Sequence, residues 1–334
     1  MAPTSSSPAP DQAAAPLVSV ILPGYNRART LPKAMQSVLV QNYANLELIV
    51  VDDASSDDTA AVVAACPDPR VRYLRHERNQ GAAAARNTGL AVARGEIIAF
   101  QDSDDEWLLD KLETQVAALL DAGDDYGACF GGKILHGRDA GGRFGDRRAC
   151  YVPDAAPESL SGDIRPVLLR RNVISPQTMI MRRAVLERVG GFDTRLPCNN
   201  DWEFMLRLSG CTKVLYTGRP AVVAFISDDS ISKKTKNKAL SLMVIMKKLP
   251  EVFAGEPQVY AECFFRIARH LQALGKPRSA ARFAARAAQL NPRAPKAWLL
   301  LALLWGLRLR PRSESRSGLP AGGPLGSRAG APAR

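Results

Sequence analysis

The sequence predicts an α/β fold, a mostly parallel central sheet with helices on both faces, followed by a helical extension. Between residues 17 and 100, short apolar runs alternate four times with helical segments across short links, which is the pattern of successive βα units. Two of those runs, 47–51 and 97–100, stop abruptly in aspartates, and the carboxyl ends of parallel strands are where such sheets bind ligands. From Lys233 onward the periodicity is helical.

Each element has its own signal. Residues 17–22 form an apolar strand closed by Pro23-Gly24. Thr30 as N-cap, with Pro32 in the first turn, opens a helix to Val40. The second strand, 47–51, ends in Asp52-Asp53, and Ser56 or Asp57 caps a helix through Ala65. Residues 71–74 make a third short strand. Gly81 then opens an alanine-rich helix stopped by Arg94-Gly95. The strand Ile97–Phe100 runs into Asp102, Asp104 and Asp105, and a helix past Trp107 continues to Ala122. A longer strand is expected over 126–135. Residues 137–166 are rich in Gly, Arg and Asp without periodicity, and read equally as a surface insertion or an acceptor-side lid. A strand over 178–181, a helix ending at Gly190-Gly191 and an amphipathic helix opening near Asn200 complete the body.

Composition bounds the class. With 334 residues, 46% hydrophobic and 23% charged, the chain is globular and large enough for a substantial core. The longest apolar run, 297–307, falls short of the roughly 18–20 residues of a membrane span. Residues 1–16, rich in Ala, Pro and Ser, lack the apolar centre of a signal peptide, so a cytoplasmic protein with reduced cysteines is expected. Charge is uneven. Residues 233–334 hold 20 basic and 4 acidic side chains, a net of +16, against 25 and 29, a net of −4, in residues 1–232. A cationic appendage on a near-neutral body suits an anionic surface, either membrane or nucleic acid.

The chemistry concentrates at residues 102–105. Three like charges at a strand end repel one another unless water or a cation offsets them. Residues i and i+2 of a strand share a face, so Asp102 and Asp104 can reach one point, and Mg²⁺ takes one or two carboxylates together with substrate phosphates. The bland reading is a polar loop in which Asp105 caps the next helix. The first βα turn, Pro23-Gly24-Tyr25-Asn26-Arg27, contains no GxGxxG, which argues against a dinucleotide dehydrogenase. A phosphoacceptor receiver domain would explain Asp52-Asp53 but not the later acidic cluster. A nucleotidyltransferase would need a basic glycine-rich phosphate loop near the first strand.

Six pieces in register resemble the family 2 glycosyltransferases of the GT-A fold. They are Pro23-Gly24-Tyr25-Asn26, Val51-Asp52-Asp53-Ala54-Ser55 with Asp57 and Thr59, Asn79-Gln80-Gly81 through Arg86-Asn87, the Asp-x-Asp motif Asp102-Ser103-Asp104-Asp105, Met181-Arg182-Arg183 with Gly190-Gly191-Phe192-Asp193, and Asn200-Asp201-Trp202-Glu203. The match covers roughly residues 17–232. It implies an inverting enzyme that moves a sugar from a nucleotide-diphosphate donor, expected to be UDP-linked, to a hydroxyl of a glycan or lipid-linked acceptor in cell-surface polysaccharide synthesis. The alternative is a nucleotide-sugar-binding scaffold without transfer.

The resemblance also assigns roles. Asp104 is the expected ligand of Mg²⁺ or Mn²⁺, with Asp102 on the donor sugar or ribose and Asp105 in support. Asp53 reads the base, or caps a helix near Ser55, and Pro23, Tyr25 and Asn26 line the same pocket. Arg86 pairs with phosphate or is a solvated helix residue. Asp201 takes the place of the catalytic base, with Glu203 as fallback, although either Asn200 or Asp201 also suits an N-cap. The usual Glu-Asp pair reads Asn200-Asp201 here, and Ser227 stands where the family often has a metal-binding His; Asp228 or Asp229 could substitute. No nucleic-acid partner is implied.

Four domains are expected: an N-terminal tail at 1–16, the catalytic domain at 17–232, a basic helical extension at 233–310 and a tail at 311–334. In the extension, Phe264, Ile267, Ala268 and Leu271 recur 34 positions later as Trp298, Leu301, Ala302 and Trp305, resembling a tetratricopeptide unit and a half. Trp298 and Trp305 beside Arg308, Arg310 and Arg312 also suit docking to the cytoplasmic face of an anionic membrane.

Overall fold

The computed structural model describes residues 15–137, 149–225 and 235–309. The first half builds as its pattern predicts: β1 (Val18–Gly24), α1 (Leu31–Leu39), β2 (Leu46–Asp52), α2 (Thr59–Ala64), β3 (Val71–Arg75), α3 (Ala82–Val92) and β4 (Ile97–Phe100). These four strands pair in parallel in the order β3-β2-β1-β4. Strand β1 runs on through Pro23. Its pairing with β4 ends at Ile21, so the missing proline N–H breaks no ladder on that side. Val18, Val20 and Leu22 point into one apolar layer with α1 residues Leu31, Met35 and Val38, while Ile21 points into the other. Helix α3 lies so close to β1 that a Cβ on Gly89 would stand 2.5 Å from Ile21 Cγ2.

The second half makes the sheet mixed. It contains β5 (Glu106–Trp107), α4 (Lys111–Asp121), β6 (Tyr126–His136), β7 (Ala149–Val152), α5 (Arg165–Arg170), β8 (Met179–Arg182), α6 (Arg183–Val189), α7 (Asn200–Ser209) and β9 (Lys213–Phe225). Beyond β4 the order is β8-β6-β9-β5, with β8 antiparallel to both β4 and β6. The sequence pattern misses β5 and β9. The pair Glu106-Trp107 is too short to show a period. In β9 the turn-like Gly218-Arg219-Pro220 sits at a register shift against β6, a bulge that interrupts the alternation. The expected irregular stretch 137–166 is corrected in part. Its described residues hold β7, antiparallel to β6, and a 3₁₀ turn at Pro157–Leu160, with Leu160 and Ile164 buried.

Helices α8 (Thr235–Lys248), α9 (Pro250–Ala254), α10 (Pro257–Ala273), α11 (Pro277–Leu290) and α12 (Pro295–Leu309) follow. Leu242, Ile245, Phe253, Ile267, Ala280 and Leu304 belong to the same buried cluster as Phe100 and Phe204, so this core runs unbroken from the sheet into the C-terminal helices. Helix α12 rests on α11 through Ala297, Leu300 and Leu304 but leaves Trp298, Leu299, Leu303 and Trp305 exposed. Phe264, Ile267, Ala268 and Leu271 are largely covered, whereas the tryptophans that recur 34 positions later are open.

One buried cation stands apart from the site. Lys111 donates to Gln115 Oε1 at 2.8 Å, and its Nζ lies 4.0 Å from the Trp107 ring centroid. Burial pushes its ammonium down to about 7, against an ordinary value of 10.5. Between those values the unfolded chain binds more protons than the folded one, so stability rises with pH across the window. Relative to Lys111→Met, which cannot titrate there, the wild-type Tm is expected to gain steadily from pH 7 to 10. Parallel Tm profiles in calorimetry would show that the ammonium is not desolvated.

Candidate active site

The carboxyl ends of β1, β2, β3 and β4 form one edge, and two turns there are locked together. The Asn26 N–H donates to Ser55 Oγ at 2.8 Å, and the Ser56 N–H donates to Asn26 Oδ1 at 2.8 Å. Asp57 accepts from the Ala28 and Thr59 N–H groups at 2.9 and 3.1 Å. Asn26 and Ala54 adopt positive φ, 52° and 64°, as does Asn199 at 58° beside the start of α7. Among the described residues these are the non-glycine positions in the left-handed region, and all three border the site. Pro23 is buried in β1 and Tyr25 stands 47% exposed above the edge, free to cover a flat ring.

The acids are held in different ways. Asp52 is buried and accepts from the Ser55 N–H at 2.8 Å and from the Tyr73 hydroxyl at 2.6 Å; burial and that carboxylate push the Tyr73 phenol up to about 12. Asp53 accepts the Gln80 and Gly81 N–H groups at 2.8 and 2.6 Å, which fixes its carboxylate between β2 and the start of α3. Asp102 accepts from Arg86 Nη2 at 2.7 Å. Arg86 is only 8% exposed, packs over the Phe192 ring and leaves its buried Nε without a partner. Asp104 lies 3.4 Å from Arg27 Nη2, yet burial and then the charge of Asp102 raise its carboxyl above the ordinary value.

Residues 102–105 form a turn, closed by the Asp105 N–H on the Asp102 carbonyl at 3.2 Å, so it is the turn and not the strand period that groups these carboxylates. Asp105 faces the sheet instead. It accepts from Gln177 Nε2 at 2.8 Å and the Phe225 N–H at 3.1 Å, and burial first, then Asp102 and Asp104, push it up to about 7.

On the far side of Arg86, Asp201 starts α7 and accepts from Asn172 Nδ2 at 2.9 Å. Burial raises its carboxyl, while the Trp202 N–H, Arg86 and Lys133 oppose the rise. Glu203 is not part of this group. It is fully buried, with a bidentate bond from Arg207 at 2.7 and 2.9 Å and Lys248 Nζ at 2.6 Å. The resemblance pieces meet in space: Asn87 bonds the Phe192 carbonyl and N–H at 2.9 and 2.8 Å, and a Cβ on Gly191 would stand 2.6 Å from Asn87 Oδ1. Ser227, Asp228 and Asp229 lie outside the described residues.

The residues fit a hard cation held jointly with a ligand. Among the described residues no group of three or more His, Cys, Asp or Glu side chains forms a metal cage. Asp104, whose carboxyl is raised by burial and by Asp102 despite Arg27, is the carboxylate of the turn that a cation would relieve, and one or two carboxylates suffice when phosphates supply further oxygens.

The profile of glycosyl transferase family 2 matches residues 19–190, more than half of the chain. The chain belongs to glycosyl transferase family 2. This family 2 chain is 50% identical over 104 residues to WfgD of Escherichia coli, a UDP-Glc:α-D-GlcNAc-diphosphoundecaprenol β-1,3-glucosyltransferase, over 31% of this chain and 41% of that protein. It is 44% identical over 108 residues to the succinoglycan biosynthesis protein ExoO of Rhizobium meliloti, over 32% and 31%. The matches therefore span less than half of either relative. In three dimensions it superposes on residues 1–349 of S. aureus TarS in complex with UDP-GlcNAc, with TM-score 0.59 and 21% identity, over 87% of this chain and 91% of that one. The mannosyltransferase PcManGT of Pyrobaculum calidifontis, in complex with GDP-Man and Mn²⁺, gives 0.54 and 24%, over 90% and 83%. At these identities the likeness establishes the fold, and the family 2 chain has the GT-A architecture.

Sequence reasoning missed Arg27, His76, Lys133 and Asn172. His76 follows β3 at the same edge as the acids, and position just past a parallel strand was the available signal. Asn172 precedes no motif and is found only from its bond to Asp201. The position of Glu203 yields a prediction. Glu203→Gln leaves Arg207 and Lys248 without their carboxylate and is expected to cost about 3 kcal/mol of stability in urea unfolding. A loss under about 0.5 kcal/mol would show that the pair is not structural.

Proposed function

We propose that this chain is a metal-dependent, inverting glycosyltransferase that moves a sugar from a UDP-linked donor to a hydroxyl of a glycan or lipid-linked acceptor in polysaccharide synthesis. The observation that carries the reading is Arg86. It is a buried guanidinium that steadies Asp102 while an unpartnered Nε remains, with Asp104 on one side and Asp201 within range of its charge on the other. That arrangement suits an anionic diphosphate between a metal-binding carboxylate and a base. The names of WfgD and of the TarS complex, which specify UDP-Glc and UDP-GlcNAc, support a uridine donor, and the diphosphoundecaprenol of WfgD supports a lipid-linked acceptor.

In this reading Asp53 accepts from the nucleobase, Tyr25 covers it with Pro23 and Asn26 forming the turn, and Arg86 binds the diphosphate. Asp102 contacts the ribose or sugar. Asp104 would hold Mg²⁺ or Mn²⁺, which when bound offsets the charge developing on the leaving nucleoside diphosphate. Asp105 serves by bracing the turn. Asp201 removes the proton from the acceptor hydroxyl, whose oxygen bonds the anomeric carbon as the bond to the diphosphate breaks, inverting configuration.

The acceptor chemistry assigns α12 a partner. Its open apolar face carries Trp298 at 51% and Trp305 at 63% exposure, and Arg293 and Lys296 are exposed at its start. None of the described helices is long and apolar enough to cross a membrane. The face suits the interface of an anionic bilayer, where buried indole and basic charge act together.

Asp201→Asn is expected to keep UDP-sugar affinity in calorimetry while turnover falls by roughly 10²–10⁴; near-normal turnover would remove the base assignment. Asp104→Ala is expected to abolish the Mn²⁺-dependent part of UDP binding, and unchanged, metal-independent affinity would remove the metal site. The full chain is expected to sediment with anionic but not neutral vesicles, and less so at high salt. Trp298→Gln/Trp305→Gln is expected to remain in the supernatant, and co-sedimentation equal to wild type would exclude α12 as the docking face.

A further inference from the structure

Asp53 is held by a residue that no motif marks. The His76 side chain is buried at the end of β3, and its Nδ1 lies 2.7 Å from Asp53 Oδ1 while its Nε2 lies 2.8 Å from Thr88 Oγ1. An ionised carboxylate only accepts, so Nδ1 carries a ring proton that it donates to Asp53, while Nε2 bonds the threonine hydroxyl. The ring therefore bridges the end of β2 to α3, the helix that carries Arg86.

The count of acceptor positions on Asp53 gives this bridge a consequence. Oδ1 receives both His76 and the Gln80 N–H, whereas Oδ2 receives the Gly81 N–H alone. Those donors fix the carboxylate's rotation and leave a lone pair on Oδ2. We propose that His76 is the positioning residue that sets nucleobase selection, by orienting Asp53 so that Oδ2 meets the ring N3–H position, where uracil carries a donor and cytosine an acceptor, the cytosine amine lying one atom away. This rests on the donor-binding reading above. With His76 removed, the Gln80 and Gly81 N–H groups alone hold the carboxylate, Oδ1 regains a free acceptor position beside Oδ2, and an N–H base is no longer met by a single preset oxygen.

Two substitutions separate the ring's two contacts. His76→Asn places a carboxamide N–H near the Nδ1 position, keeping Asp53 and losing Thr88. His76→Gln places its amide near the Nε2 position, keeping Thr88 and losing Asp53. Binding of UDP and CDP to the full chain with Mn²⁺ is measured by calorimetry, with Tm recorded for each protein. The wild type is expected to favour UDP. His76→Asn and Thr88→Val are expected to hold that preference within about threefold, and His76→Gln to lower UDP affinity about tenfold, the worth of one hydrogen bond to a charged group, with CDP affinity little changed. If the wild type does not favour UDP, the base-reading role of Asp53 falls and the inference falls with it. If the wild type favours UDP but His76→Asn and His76→Gln lose it equally, in step with Tm, His76 is only a brace and the inference alone is overturned.

Discussion

Crowded negative charge at one sheet edge is the constraint on which this structure turns. Asp52, Asp53, Asp102, Asp104 and Asp105 all follow parallel strands, and each carboxylate taken from water must find a donor, a cation or a proton. The fold answers them with different elements: a tyrosine from β3 for Asp52, backbone N–H groups for Asp53, an arginine from α3 for Asp102, and a glutamine with the end of β9 for Asp105. Asp104 is left least satisfied, with one arginine at 3.4 Å and a raised carboxyl. The acids that shape the edge are thereby separated from the acid left open to a ligand.

Beneath that edge, aromatic packing links the two sides of the site. Phe100, at the end of β4, meets Phe192 edge-on at 5.3 Å, and Phe192 stacks on Phe204 of α7 at 4.3 Å. Arg86 lies over Phe192 at 5.5 Å. The strand that leads to Asp102 and the helix whose first turn holds Asp201 thus rest on one apolar cluster. Such pairs contribute about 0.5–1.5 kcal/mol each beyond their buried area, and they favour specific ring angles. The spacing between Arg86 and Asp201 is therefore set by core packing as well as by the loops around them.

The acidic sheet edge was legible in the sequence because it is local. Val51 through Thr59 and Ile97 through Asp105 each place a buried run, a turn and the functional carboxylates within a dozen residues. The surroundings of α7 were less legible because their partners are distant: Asn172 reaches Asp201 across 29 positions, and Lys248 reaches Glu203 from a later helix. Glu203 drew attention as an acid beside a candidate base; its i,i+4 spacing to Arg207 was a local sign of pairing, but no local pattern could show the claim of Lys248. Strand β9 was hidden for another reason. Its bulge at Gly218-Arg219-Pro220 carries the composition of a turn, while its pairing is determined by β6, some ninety residues earlier.

The continuity of the core orders events during synthesis. Helix α7 is seated by groups that come late in the chain: Ser241 Oγ accepts the Cys198 N–H at 3.2 Å just before the helix, and Lys248 closes on Glu203 and Asp193. Those contacts cannot exist until the ribosome has released residue 248, whereas every strand and turn of the donor edge lies before residue 106. The residues of that edge are thus synthesised well before Asp201 has its final support.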